Sequence, residues 1–161
     1  MKRPKKPITP ENARLKMADL CARSEHCEFE IRDKLRKQGL PSAEINKIID
    51  FLLDNKFIDN ARFARSFTND KVRFSGWGRN KIRQALALKR IPASLITEAL
   101  SEIDEKEYLK AIQRAGTSKA KSLDLEEYDD RVRLYRHLMT KGYESALISK
   151  LIAFLRKTAN K

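Results

Sequence analysis

The chain has 161 residues, 41% of them hydrophobic, which is enough for a modest packed core and excludes a disordered polymer. Two cysteines exclude a disulfide framework, no apolar run reaches the length of a signal h-region or a membrane span, and the expectation is a cytoplasmic protein. The net charge of +13 points to partners bearing phosphates or carboxylates; with only five Gly and five Pro among stretches of Ala, Leu, Lys, Arg and Glu, the fold class reads as all-α.

In chain order, residues 1–10, with Lys2, Arg3, Lys5 and Lys6, read as a basic flexible arm. Thr9-Pro10-Glu11 then opens a helix, as an N-cap followed by proline in the first turn. From about residue 27 an apolar pattern recurs at offsets of 51 and then 52 residues. Its columns are Ile31, Ile82 and Leu134; Leu35, Leu86 and Leu138; Leu40, Ile91 and Tyr143; Ile45, Ile96 and Ile148; Ile49, Leu100 and Ile152; and Leu52, Ile103 and Leu155. The spacing within each copy predicts helix, short turn, helix. Gly39 and Gly142 suit a left-handed position after the first helix, and Pro41 and Pro92 suit the first turn of the next. Arg90 stands where the other copies have glycine, so the middle turn is expected to be strained or locally altered.

Each copy is preceded by another helical stretch. Asp59 caps the second, with Phe63, Phe67 and Phe74 on one side, and Asp104 opens the third, through about Gln113. Residues 116–125 read as a polar loop. The expected organisation is three tandem three-helix bundles, 11–57, 58–103 and 104–157, each with its own small core, stacked into an elongated array with a tail at 158–161.

Charge is unevenly spread along this array. Residues 11–57 balance nine basic against nine acidic groups, so no positive surface is expected at Arg32 and Arg36; residues 58–100 carry nine basic against three acidic. On helical wheels Arg62, Arg65, Asn69 and Arg73 gather opposite Phe63 and Phe67. Arg79, Asn80, Arg83 and Gln84 gather away from Ile82, Ala85 and Leu86. Arginine mixed with Asn and Gln suits directed hydrogen bonds to carboxylates or phosphates, and these eight residues are the candidate binding faces, all taken to lie outside the core. Trp77, between Gly76 and Gly78, has three readings: stacking on a base, docking on a partner, or packing as a lid on the second bundle, the last being favoured. Asp59 is better explained as a cap than as a catalytic acid. His26 and His137 lie far apart, and Cys21, Cys27 and His26 lack a fourth neighbour for a metal. No catalytic, metal or cofactor site is expected.

The stretch Phe57-Ile58-Asp59-Asn60-Ala61-Arg62-Phe63-Ala64-Arg65-Ser66-Phe67, followed by Gly76-Trp77-Gly78, Lys81-Ile82 and Leu86, resembles the most characteristic segment of the RecX family. Ala22-Arg23, Glu30-Ile31 and Lys34-Leu35 resemble the family's first repeat, and Lys141-Gly142-Tyr143 with Ile148 and Leu151-Ile152 its third. Ser24, Cys27 and Arg90 depart from the family's usual Arg, Ser and Gly. The resemblance implies a non-enzymatic protein that binds the RecA filament in its groove and inhibits its ATPase, strand-exchange and coprotease activities, with DNA, single- or double-stranded, as a secondary contact. It is expected to act as a monomer away from membranes. The alternative is an autonomous DNA-binding protein using its helix-turn-helix units. Against it, Asn46 and Lys47 are nearly alone as base- or phosphate-reading types in the second helix of the first copy, and residues 93–100 offer no basic residue.

Overall fold

Three short polar side chains open the three units by the same device. Thr9 Oγ1 accepts the Asn12 N–H at 3.2 Å, Asp59 Oδ1 that of Arg62 at 3.0 Å, and Asp104 Oδ1 that of Glu107 at 3.0 Å, each satisfying a donor that the helix leaves unpaired. The computed structural model, which describes residues 6–160, contains nine α-helices and no strand among the described residues; these three caps open the first helix of each unit. The first unit comprises α1 (Pro10–Arg23), α2 (Glu28–Lys37) and α3 (Ser42–Asp54), and the second α4 (Asn60–Asp70), α5 (Arg79–Leu88) and α6 (Ala93–Ser101). The third comprises α7 (Glu105–Ala120), α8 (Tyr128–Thr140) and α9 (Ser145–Ala159). Residues 1–5 of the expected basic arm lie outside the described residues.

The three internal turns are built alike. Leu40, Ile91 and Tyr143 donate their N–H groups back to the carbonyls of Leu35, Leu86 and Leu138, and the preceding residues donate to Arg36, Ala87 and Met139. This is the Schellman closure, which needs a left-handed residue after the helix. Gly39 and Gly142 supply it at φ +83° and +96°, and Arg90 supplies it at φ +56°. The middle turn is therefore strained but not altered: Arg90 keeps the geometry that glycine gives its sister turns, where a Cβ costs energy.

The paired columns before the turns are completely buried: Ile31, Ile82, Leu134, Leu35, Leu86 and Leu138. The expectation of three separate cores is corrected. One core is enclosed by the first unit with Ile58, and a second, continuous core runs through α4–α9 and also takes in Cys27. The second and third units merge because two large rings of the third, Tyr108 and Tyr143, are fully buried at their junction, 5.6 Å apart.

Two further expectations are corrected. The polar loop at 116–125 is largely helix: α7 continues to Ala120, Gly116 is buried within it, and Leu125 is buried too. A Cβ at Gly116 would lie 2.5 Å from Leu151 Cδ2, so the glycine there brings α7 against α9 and does not end the helix. Phe74 does not share a side with Phe63 and Phe67 but stands 82% exposed. After α4 the backbone widens into a π-helical turn, Lys71–Ser75, which rotates later side chains out of the 3.6-residue register on which a common face depends.

Candidate partner-binding surface

The candidate residues divide into those that hold the molecule together and those free to meet something else. Arg62 belongs to the first group. Its Nε donates to Glu25 Oε1 at 2.6 Å and its terminal nitrogen to the Lys56 carbonyl at 3.1 Å, fastening α4 to the segment between α1 and α2. Arg79 belongs there as well, against the expectation that it lies outside the core. Its guanidinium sits 3.9 Å from the Tyr108 ring centroid and pairs with Glu105 at 2.8 Å and Glu144 at 3.3 Å. The Tyr108 hydroxyl accepts the Arg79 N–H and donates to Glu144 at 2.6 Å. Burial, reinforced by the Glu144 carboxylate, pushes that phenol well above its ordinary range, so it remains a donor.

Gly76-Trp77-Gly78 forms the rest of this junction. The Gly78 N–H donates to the Lys141 carbonyl at 2.7 Å and the Asn80 N–H to that of Gly142 at 3.0 Å. Lys141 Nζ reaches the Ser75 carbonyl at 3.0 Å, and the Tyr143 hydroxyl donates to that of Gly76 at 2.7 Å. Burial raises the Tyr143 phenol to about 12. The turn of the third unit is thereby pressed backbone to backbone on the start of α5. Trp77 is half-buried, edge-on to Phe67, with Lys71 Nζ 4.5 Å and Lys81 Nζ 4.4 Å from its ring centroid. Its packed arrangement agrees with the favoured reading, and the two ammoniums beside it were not singled out in the sequence.

Arg65, Asn69 and Arg73 are exposed along α4 and the π-helical turn, and Asn80, Arg83 and Gln84 are exposed on α5. Arg83 donates to Asn80 Oδ1 at 2.9 Å, which aligns the two side chains. Among the described residues no carboxylate lies within 4.0 Å of Arg65, Lys71, Arg73, Lys81, Arg83 or Arg90. Phe74 and Leu88, 82% and 78% exposed, stand in the same unit. Exposed apolar groups among unpaired cations suit a polar partner surface with an apolar component.

The joint between the first two units adds polar links to the apolar contact of Cys27 and Phe29 with the second core. The Glu28 N–H donates to Asn60 Oδ1 at 3.1 Å, and Lys89 Nζ meets Glu30 at 2.9 Å. Burial works to raise the Glu30 carboxyl, but hydrogen bonds from Lys89 and His26 outweigh it, and the net displacement is downward. Burial raises the Cys21 thiol to about 11 and raises Cys27 as well, which leaves both protonated near neutral pH. Among the described residues no three His, Cys, Asp or Glu side chains cluster for a metal, and no helix is long and apolar enough to cross a membrane.

Two family models match the chain: the first three-helix domain of RecX over residues 13–52 and the second over residues 59–100. The regulatory protein RecX of Vibrio campbellii is 30% identical over 84% of this chain and 86% of its own length. That of Pseudomonas savastanoi pv. phaseolicola is 32% identical over 90% and 92%, and that of Clostridium tetani 35% identical over 72% and 54%. The crystal structure of RecX from Lactobacillus salivarius superposes with a TM-score of 0.78 at 21% identity, covering 91% of this chain and 96% of that one.

Proposed function

The chain belongs to the RecX family of regulatory proteins, and on that premise we propose that it binds a RecA recombinase filament on DNA and lowers its ATPase, strand-exchange and coprotease activities. It acts by occupancy, with no catalytic centre of its own, and works in the cytoplasm where such filaments form. The observation that carries the reading beyond the family is the set of exposed cations without acidic partners on the middle unit, Arg65, Arg73 and Arg83, in a unit that also exposes Phe74 and Leu88. A filament presents phosphates and carboxylates in a repeating groove, and an elongated ligand gains by spanning more than one protomer.

The test is ATP hydrolysis by RecA on single-stranded DNA. Stoichiometric or lower amounts of the protein slow it, while the protein alone hydrolyses none; unchanged hydrolysis in the presence of excess folded protein overturns the reading. The alternative, an autonomous helix-turn-helix DNA reader, has less support. Helix α6 carries no Lys or Arg, and in α3 Asn46 accepts from Arg32 while Lys47 faces Glu44.

A further inference from the structure

Stacking the second unit on the first brings the strained turn at Arg90 over α2, and a trough opens between them. It consists of two adjoining hollows of about 240 and 220 Å³ that share Arg32, Arg36 and Arg90, with Lys89 at the rim of the first and Ser42 and Asn46 at the second. Glu28 lines the first hollow but takes Arg32 Nε at 3.0 Å, and the nearby Glu30 takes Lys89 and His26. Arg32 also donates to Asn46 at 2.8 Å, which holds its guanidinium across the floor. Arg36 makes only a long bond, 3.4 Å, to a carbonyl of its own helix, and Arg90 leans on the Phe29 ring at 5.3 Å. Both are exposed and have no carboxylate among the described residues within 4.0 Å.

The geometry points to a phosphate-binding trough between the first two units, in which Arg32, Arg36 and Arg90 hold consecutive phosphodiesters of a nucleic-acid strand. Guanidinium forks match phosphate oxygens in pairs; those of Arg36 and Arg90 are open, and Arg32, held by Glu28 and Asn46, adds its charge, where the first unit taken by itself is electrically balanced. One small anion would fill one hollow; two hollows sharing the same arginines suit a chain of phosphates. The left-handed Arg90 is consistent with this role, since a residue kept at a strained turn is a mark of sites where the side chain matters. The trough is independent of the recombinase-binding reading, because it requires DNA alone.

The experiment is fluorescence anisotropy of a labelled oligothymidylate with the full-length protein and no recombinase present. Arg36→Gln with Arg90→Gly is the test pair: Arg36 is exposed, and glycine at 90 suits the φ that the turn already has, so folding is retained. Lys16→Gln with Lys106→Gln, two exposed cations far from the trough in sequence, is the charge-matched control. The test pair weakens binding about tenfold and lowers the salt dependence by about 0.7 in log–log slope for each phosphate that is no longer neutralised, while the control changes affinity less than about twofold. Equal losses in the two pairs overturn the trough in favour of diffuse attraction. In a parallel titration with inorganic phosphate, the Arg36 and Arg90 Nε–Hε resonances are followed by NMR. Shifts there with no loss of oligonucleotide affinity in the test pair overturn the nucleic-acid assignment and leave a small-anion site.

Discussion

Arg79 and Arg83 are four residues apart on one helix and have different work. Arg79 stacks on Tyr108 between Glu105 and Glu144, whereas Arg83 is exposed and donates to Asn80. Arg79→Glu places a third carboxylate beside the half-buried Glu144 and the exposed Glu105 and removes the stacked cation, so it costs about 2 kcal/mol or more in urea unfolding. Arg83→Glu stays within about 0.5 kcal/mol of the parent. Equal costs would show that Arg79 does not hold the joint. A charge reversal intended to probe a partner surface therefore belongs at Arg65 and Arg83. At the other end, the Glu126 carboxylate accepts from Arg156 at 2.9 Å and from Asn160, and these bonds hold it down at about 2. The folded state thus favours the ionised form. Its contribution is full above the ordinary carboxyl range near 4.5 and is lost as pH falls toward 2. NMR titration of the Glu126 side chain checks this, and a midpoint near 4.5 would show that the contact to α9 does not persist in solution.

Among the elements, the repeat was legible because its apolar columns have helical spacing and its caps and turn glycines have stereotyped chemistry. Less legible were the departures from regular period. The π-helical turn that turns Phe74 outward leaves no mark in a wheel drawn at 3.6 residues per turn, and Gly116 looks like a helix stop until Leu151 is seen against it. Gly76-Trp77-Gly78 was conspicuous, but its purpose depends on a turn 64 residues later. A Cβ at Gly78 would lie 2.3 Å from the Gly142 carbonyl carbon, a backbone atom that cannot rotate away. Gly78→Ala therefore forces the second and third units apart and costs about 1–3 kcal/mol, as overpacking does. A urea midpoint equal to that of the parent would mean that the two backbones do not touch in solution.

At the scale of the molecule, two cores in place of three imply two cooperative units. The first unit keeps its own core, while α4–α9 share one. Leu138→Ala removes a fully buried side chain at a cost of about 2–5 kcal/mol and lowers amide protection together in α5, α8 and α9. Leu35→Ala, equally buried in the first unit, lowers protection in α1–α3 and leaves α8 and α9 as they were. Native-state hydrogen exchange distinguishes this from three independent bundles, in which Leu138→Ala would leave α5 untouched.

The three opening caps, the repeat and the excess of positive charge in the middle third follow from local chemistry: propensity, period and capping act over a few residues, and a linear chain displays them. Which cations are free does not. Arg62 and Arg79 look no different from Arg65 and Arg83 on a helical wheel, and are distinguished only by Glu25, Glu105 and Glu144, which arrive from other parts of the chain. The same holds in reverse for Arg32, Arg36 and Arg90, scattered between a neutral unit and a basic one and gathered only by the stacking of a turn on a helix. Charge pairing extends over a few ångströms of space, and the sequence separation of groups that close together is set by how the units pack.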